Sequence, residues 1–263
     1  MATRSCLCAF LLLFAFQSPI VRANTVPLPP PQCRPLVASN LARIEFFVQL
    51  LKVKTEFFLR SIGLQIKNIS PGLVQGPDPI GATNATVNIL TRRIIEQFDL
   101  SNVRRIRAIV NRTLLNAPLQ RPLITVTPAA FAMALNARIF LLAVRFILSV
   151  ITQYEGTMTP LIVGTNKRQT VGNLTNITAE GVNVRGRCGA KDEGMIVPLQ
   201  LGAENRTTVN VVPGDVNSLA VARTTREVLR ILYGTGNATM PGALIPAGFT
   251  CSLISRILLQ NLG

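Results

Sequence analysis

Residues 40–62 read NLARIEFFVQLLKVKTEFFLRSI, and the spacing of their oily positions sets the frame for the chain. Leu41, Ile44, Phe47, Leu51, Phe58 and Ile62 recur at helical intervals. Glu45, Gln49, Lys52, Glu56 and Arg60 follow one another at steps of four, three, four and four. This is the two-faced pattern of an amphipathic helix, closed by Gly63. Lys52–Glu56 and Glu56–Arg60 are i,i+4 pairs of opposite charge, each worth about 0.2–0.5 kcal/mol on an exposed face. The reading places that polar stripe in water.

Upstream, Pro27, Pro29, Pro30, Pro31 and Pro35 predict an extended, polyproline-II-like leader over 24–38. Before it, Arg4 is followed by the apolar run Cys8 to Phe16, a break at Ser18-Pro19 and the small residue Ala23 after Val21-Arg22. That order predicts a secretory signal peptide over 1–23, too short to anchor in a bilayer. The expected location is therefore secreted and extracellular.

Downstream, Leu64 to Val87 is rich in Gly and Pro, with a turn at Pro77-Asp78-Pro79 and room for one or two short strands. Ile89 to Phe98 predicts a short helix, and Ser101 starts another that runs to Leu115. Ala129 to Gln153 is the most apolar stretch: twelve residues between Ala129 and Ile151 are Leu, Ile, Val or Phe. Their insertion energy of about −4 to −7 kcal/mol is cancelled by Arg138 and Arg145, at about +2.5 to +3.5 kcal/mol each. A helix buried in the protein fits better than a membrane span. From Leu161 to Val212, Val, Thr, Asn and Gly alternate, as in Val182-Asn183-Val184 and Thr208-Val209-Asn210-Val211, which predicts short antiparallel strands. Asn217 or Ser218 caps a helix to Tyr233, stopped by Gly234. A last amphipathic helix runs from Ser252 to Leu262.

The expected fold class is α+β: amphipathic and apolar helices packed with short antiparallel β segments in a single domain over 39–263. Two similar halves, 39–120 and 129–235, are suggested by Ala42-Arg43-Ile44 against Ala137-Arg138-Ile139, and by Asn84-Ala85-Thr86-Val87-Asn88 against Asn205-Arg206-Thr207-Thr208-Val209-Asn210.

The whole chain has 263 residues, 27 Lys+Arg against 12 Asp+Glu, no His and a formal net charge of +15. Hydrophobic residues make up 48% and charged residues 15%, the latter well below the roughly 25% usual for globular proteins. A disordered solvating chain is excluded by that apolar content. The absence of imidazole excludes the Ser-His-Asp triad, the Cys-His pair and His-based zinc sites. Glu96/Asp99 and Asp192/Glu193 are the close carboxylate pairs, and both read as cap or turn residues. Gly189-Ala190-Lys191-Asp192-Glu193-Gly194 lacks the alternation of a calcium loop, and Gly234-Thr235-Gly236 is a turn without phosphate-loop context. No catalytic residue, metal ligand or cofactor is expected, and the chain reads as a non-enzyme.

Asn-x-Ser/Thr occurs at Asn68, Asn84, Asn111, Asn173, Asn176, Asn205 and Asn237, where chance gives about two, so N-glycosylation at exposed asparagines is expected, with Asn68 discounted because Pro71 follows its Ser70 and with Asn173 and Asn176 close enough to compete. With the signal removed, Cys33, Cys188 and Cys251 remain. They permit three single-bridge pairings and leave one thiol over, either buried and inert or cross-linking two chains.

Arginine dominates the positive charge, and its planar fork pairs with carboxylate, phosphate and sulfate. The densest cluster is Val103-Arg104-Arg105-Ile106-Arg107-Ala108. It matches the basic-basic-x-basic pattern of heparin-binding segments, and Arg112 extends the side of Arg105. Together with Thr91-Arg92-Arg93-Ile94-Ile95, the high pI, the sequons and the sparse cysteines, it resembles the hydrophobic, basic bulk cement proteins of barnacles. The resemblance implies a self-assembled adhesive held mainly by apolar contacts. The expected function is thus a secreted, N-glycosylated cationic structural or adhesive protein. Its expected partners are copies of itself, an anionic polysaccharide or surface and anionic lipid; intracellular nucleic acid is excluded by compartment. Two other readings stand beside it: a membrane-active or lipid-binding host-defence protein, and a secreted enzyme of unknown type.

Overall fold

A computed structural model of the chain describes residues 27–81, 84, 88–112, 120–127, 160–162, 168–191, 193–210, 214–219 and 222–260, without the side chains of 112, 160–162, 168–175 and 178. The signal peptide over 1–23 and the apolar helix over 129–153, which opens the second of the two similar halves, lie outside the described residues.

Among the described residues six α-helices dominate: α1 (Asn40–Ser61), α2 (Ile66–Ile69), α3 (Ile89–Arg112), α4 (Val171–Gly186), α5 (Thr225–Tyr233) and α6 (Ser252–Leu259). Regular β structure among the described residues is one antiparallel ribbon of three residues a side, β1 (Pro160–Ile162) on β2 (Arg168–Thr170). Elsewhere strand pairing is reduced to isolated bridges. The fold class is therefore helical, and the α+β expectation is corrected.

The correction has a local cause. The segment Val171–Gly186, read as strands from its Val, Thr and Asn content, is helix α4. Propensity is a weak prior that tertiary contacts override. Here Asn176 Oδ1 accepts from the Met195 amide at 3.0 Å, and Asn183 Oδ1, seven residues on, accepts from the Lys191 amide at 3.1 Å. Two helix turns of asparagine dock the chain that returns from α4.

Helix α1 begins where Ser39 Oγ accepts from the Ala42 amide and ends with Ile62 and Gly63, the latter at φ 78. Through Arg112, the two helices expected from Ile89 are the single helix α3. Ser101 does not break it, because its hydroxyl donates back to the Phe98 carbonyl at 2.6 Å. Of the stretch 64–87 expected to hold short strands, residues 64–81 form α2, a 3-10 turn at Pro71–Leu73 and an extended run whose Gln75 and Ile80 bridge in parallel to Gln120 and Thr125.

α1 is the central element. It packs most extensively on α3 and also meets α6. On one side Val48, Leu51 and Leu59 share a core with Ile66, Leu73, Val103 and Ile106. On another, Phe46 and Val53 share a core with Leu229 and Tyr233 of α5, Phe249, and Leu253 and Ile257 of α6. Phe249 meets Phe46 edge-on at 5.3 Å, and its amide donates to Tyr233 Oη at 3.3 Å. No described helix is long and apolar enough to cross a membrane.

Candidate functional site

With apolar neighbours on both flanks, the polar stripe of α1 is not in water. Gln49, Lys52, Thr55 and Glu56 are all 0% exposed, as are Asp99 and Asn102 on the facing helix α3. Burying such groups costs several kcal/mol unless they are paired, so their partners define the site.

Glu56 is paired by Arg121, itself wholly buried, which arrives on the extended segment after α3. One guanidinium nitrogen donates to Glu56 Oε1, Nη2 donates to Asp78 Oδ1 at 2.7 Å and Nε to the Pro77 carbonyl at 2.9 Å. Arg60 approaches the other Glu56 oxygen at 3.5 Å, and Lys67 lies 3.8 Å from Asp78 Oδ2. The Arg121 guanidinium holds the Asp78 carboxyl below the usual carboxylate range. Two prolines flank Asp78 and stiffen the turn that presents it.

Arg121 can reach this position because 75–80 and 120–126 run side by side. The Arg121 amide donates to the Gln75 carbonyl at 2.7 Å, and Ile80 exchanges bonds with Ile124 and Val126, each 2.8 Å. The close approach requires Gly76: at φ 100, a Cβ there would sit 2.7 Å from the Arg121 carbonyl oxygen.

Neighbouring groups are neutral or pushed toward neutrality. Burial, with help from Arg121, lowers the Lys52 ammonium to about 8. Burial raises Asp99 to about 7, against the hydrogen bond from Asn102 Nδ2 at 3.0 Å and the charge of Lys54. Gln49 Nε2 bonds the Thr250 carbonyl at 3.2 Å and so ties the stripe to the entry of α6.

A second buried glutamate lies on α5. Thr224 and Glu227 form a reciprocal capping box at its start, and Glu227 Oε2 also accepts from Lys191 Nζ at 2.8 Å. Burial would raise this carboxyl, but the bonds from Lys191 and Thr224 more than offset it and leave it low. Each buried glutamate thus sits on a helix and meets a cation from irregular chain. This buried, internally neutralised seam is the candidate site.

None of its residues was singled out as a site from the sequence. Polarity at helical spacing gave no sign that the stripe was buried, and Arg121 is 65 residues from Glu56. One signal was present: Thr224-Thr225-Arg226-Glu227 is a capping box, which would have moved the start of α5 from Asn217 or Ser218 to Thr224.

The residues that the sequence marks as candidates lie apart from the seam. Arg104, Arg105 and Arg107 are exposed on α3, and Arg107 Nη2 donates to Ser70 Oγ at 2.7 Å. Arg112 closes that helix. Asn68, Asn84, Asn111 and Asn205 are exposed; Asn176 and Asn237 are half-buried, and Asn173 lies in α4. Cys33 and Cys188 form a disulfide, which pins the proline-rich leader to the end of α4. Cys251 is free and buried.

Comparison with known proteins corrects several expectations. The chain is 30% identical to "Ferritin-like catalase Nec2" of Nesocodon mauritianus, over 84% of this chain and 86% of that protein. It is 29% identical to "Desiccation-related protein PCC13-62" of Craterostigma plantagineum, over 83% of this chain and 86% of that protein. No family model matches the chain, and no solved structure does. These relatives overturn the resemblance to barnacle cement proteins and with it the adhesive, self-assembling, polyanion-binding function and the defence reading. Composition alone carried that resemblance, and an arginine-rich apolar chain is compatible with many folds. The expectation of no enzyme falls as well, since one relative is named a catalase. Missing imidazole excludes triads and His-zinc chemistry but does not exclude every reaction.

Proposed function

This chain belongs to the ferritin-like family of the catalase it resembles, and on that premise we propose that it acts in stress protection, as a ferritin-like protein whose fold persists when water is withdrawn. The observation that carries the reading is the wholly buried Arg121–Glu56 pair, accompanied by a second buried glutamate, Glu227, whose partner Lys191 is partly exposed. Surface ions depend on hydration that drying removes. A charge already paired inside the protein has its desolvation behind it, and its attraction strengthens as the surroundings approach the low dielectric of dry protein. The desiccation-related relative supports the same reading. Secretion remains part of the proposal, supported by the sequons and by a disulfide suited to an oxidising compartment.

A ferritin-like di-iron or di-manganese centre draws one Glu from each of two helices and a Glu-x-x-His pair from each of two others. This chain has no His. Three residues after Glu227 stands Arg230, and three after Asp99 stands Asn102, while Glu56 and Glu227 are held by cations of the chain itself. Among the described residues no three His, Cys, Asp or Glu side chains cluster. The residues present do not fit that centre, and no step is assigned to it.

The catalase relative motivates a second reading, removal of peroxide. One preparation tests both. Protein from a eukaryotic secretory host is dried with lactate dehydrogenase and rehydrated, and oxygen release from hydrogen peroxide is followed separately. Recovery of helical dichroism, with enzyme rescue above that of an equal mass of albumin, supports the first reading. Oxygen release that saturates with peroxide and is lost on boiling supports the second. Loss of fold on drying, with neither rescue nor oxygen release, overturns stress protection.

A further inference from the structure

Beside the disulfide, the turn after α4, one face of α5 and the proline-rich leader enclose a small, half-open pocket. Arg187, Arg226 and Arg230 line it, with Pro29 to Pro31 as one wall and 236–239 as another; no carboxylate contributes to the lining. Arg226 and Arg230 are four residues apart on α5, so they share a face. Both are withdrawn from water, at 8% and 3% exposure. Arg187 joins them from backbone at φ 58, a conformation that a long side chain adopts only at a cost.

Each guanidinium is steadied at one edge by a neutral acceptor. Arg226 Nη2 donates to Gln260 Oε1 at 2.6 Å, and Arg187 Nη1 to the Gly236 carbonyl at 3.1 Å. Arg230 Nε donates to the Gly186 carbonyl at 2.8 Å, and its Nη2 lies 3.0 Å from Cys188 Sγ. Among the described residues none of the three has a carboxylate within 4.0 Å. Glu227 is the nearby acid, but its oxygens face Lys191, Thr224 and Arg223. Burial works most strongly against the Arg230 charge; the field of Glu227 supports it, and Arg187 and Arg226 oppose it. Three like charges, two of them buried, thus line one pocket, each bonded to a neutral acceptor and with Glu227 supporting Arg230 from outside the lining.

An anion resolves that arrangement. The planar guanidinium fork matches the two oxygens of a carboxylate or the edge of a phosphate, while the prolines offer an apolar wall to whatever carries the charge. We propose that this pocket binds a small oxyanion, held between Arg187 and Arg226 with Arg230 as the buried charge behind them.

The test is calorimetric titration of the secreted protein, before and after glycan trimming, with inorganic phosphate and with benzoate, chloride holding ionic strength constant. Saturable heat with either probe supports the proposal; stronger benzoate binding identifies an organic carboxylate, and phosphate alone identifies a phosphate. Arg187→Gln and Arg226→Gln should each weaken binding at least tenfold, while Arg43→Gln, on exposed α1 surface, should leave it unchanged. A readout on the unmutated chain guards against misfolded variants: the bound probe should shield Arg187 and Arg226 from phenylglyoxal, read by mass spectrometry. Heats no different from chloride, or equal modification with and without both probes, would overturn it, as would equal weakening by all three variants.

Discussion

Arg121 and Glu56 form an ion pair from which water is wholly excluded, between segments 65 residues apart in the chain. Removing Arg121 leaves buried Glu56 with only the longer contact to Arg60 at 3.5 Å; breaking a buried pair costs about 3–5 kcal/mol, whereas replacing both partners with apolar groups of similar size is often close to neutral. Arg121→Met should therefore lower the urea midpoint strongly, and Glu56→Leu combined with Arg121→Met should recover most of the loss. Urea unfolding of the two variants and the parent measures it. A double variant as unstable as the single one would show that the pair does more than neutralise itself.

Gly76 sets the register that delivers Arg121. A methyl group there meets the Arg121 carbonyl at 2.7 Å in a conformation that disfavours any side chain. Gly76→Ala should cost about 1–3 kcal/mol and should speed amide exchange at Ile80 and Val126, whose bonds lie further along the same ladder. Gly72→Ala is the matched control, since nothing lies within 4 Å of a Cβ there.

The sequence made α1 legible almost to the residue, because its apolar positions follow helical spacing without interruption. Its polar stripe was not legible as interior. Lys52, Glu56 and Arg60 look like solvated i,i+4 pairs, and only the arrival of 120–126 shows otherwise. Helix α4 was hidden behind strand-like composition, and what fixes it is a set of side-chain bonds from Asn176 and Asn183 to later chain. The break expected at Ser101 failed because a hydroxyl can bond within its own helix as readily as cap a new one. The candidate site therefore depends on contacts that no local pattern encodes.

Two groups in the seam give stability an unusual pH dependence. Asp99 titrates near 7 in the folded protein and near 3.9 unfolded, so the native state holds the extra proton between those values and stability falls as pH rises from 4 to 7. Lys52 titrates near 8 folded and near 10.4 unfolded; there the unfolded state holds the extra proton, and stability rises from 8 to 10. Each slope approaches 1.4 kcal/mol per pH unit. Their joint contribution is lowest between 7 and 8. Thermal unfolding across pH checks this, and Asp99→Asn should remove the acid-side fall while leaving the alkaline rise.

The Cys33–Cys188 bridge closes a loop of 155 residues and ties a leader with little core of its own to the end of α4. Chain-entropy arguments give such a link about 2–5 kcal/mol. Reduction, or Cys33→Ser, should therefore destabilise the whole chain rather than merely free the leader, because the same connection constrains everything between α1 and α4 in the unfolded state. Cys251 reports on the outcome. Its thiol is buried and pushed up by that burial, so it should resist a thiol-specific disulfide reagent in the native protein and react only as the core opens. If Cys33→Ser raises the rate of Cys251 modification at a fixed sub-denaturing urea concentration, the loop constrains global unfolding. An unchanged rate confines its effect to the leader and assigns the fold's stability to α1 and its buried pairs alone.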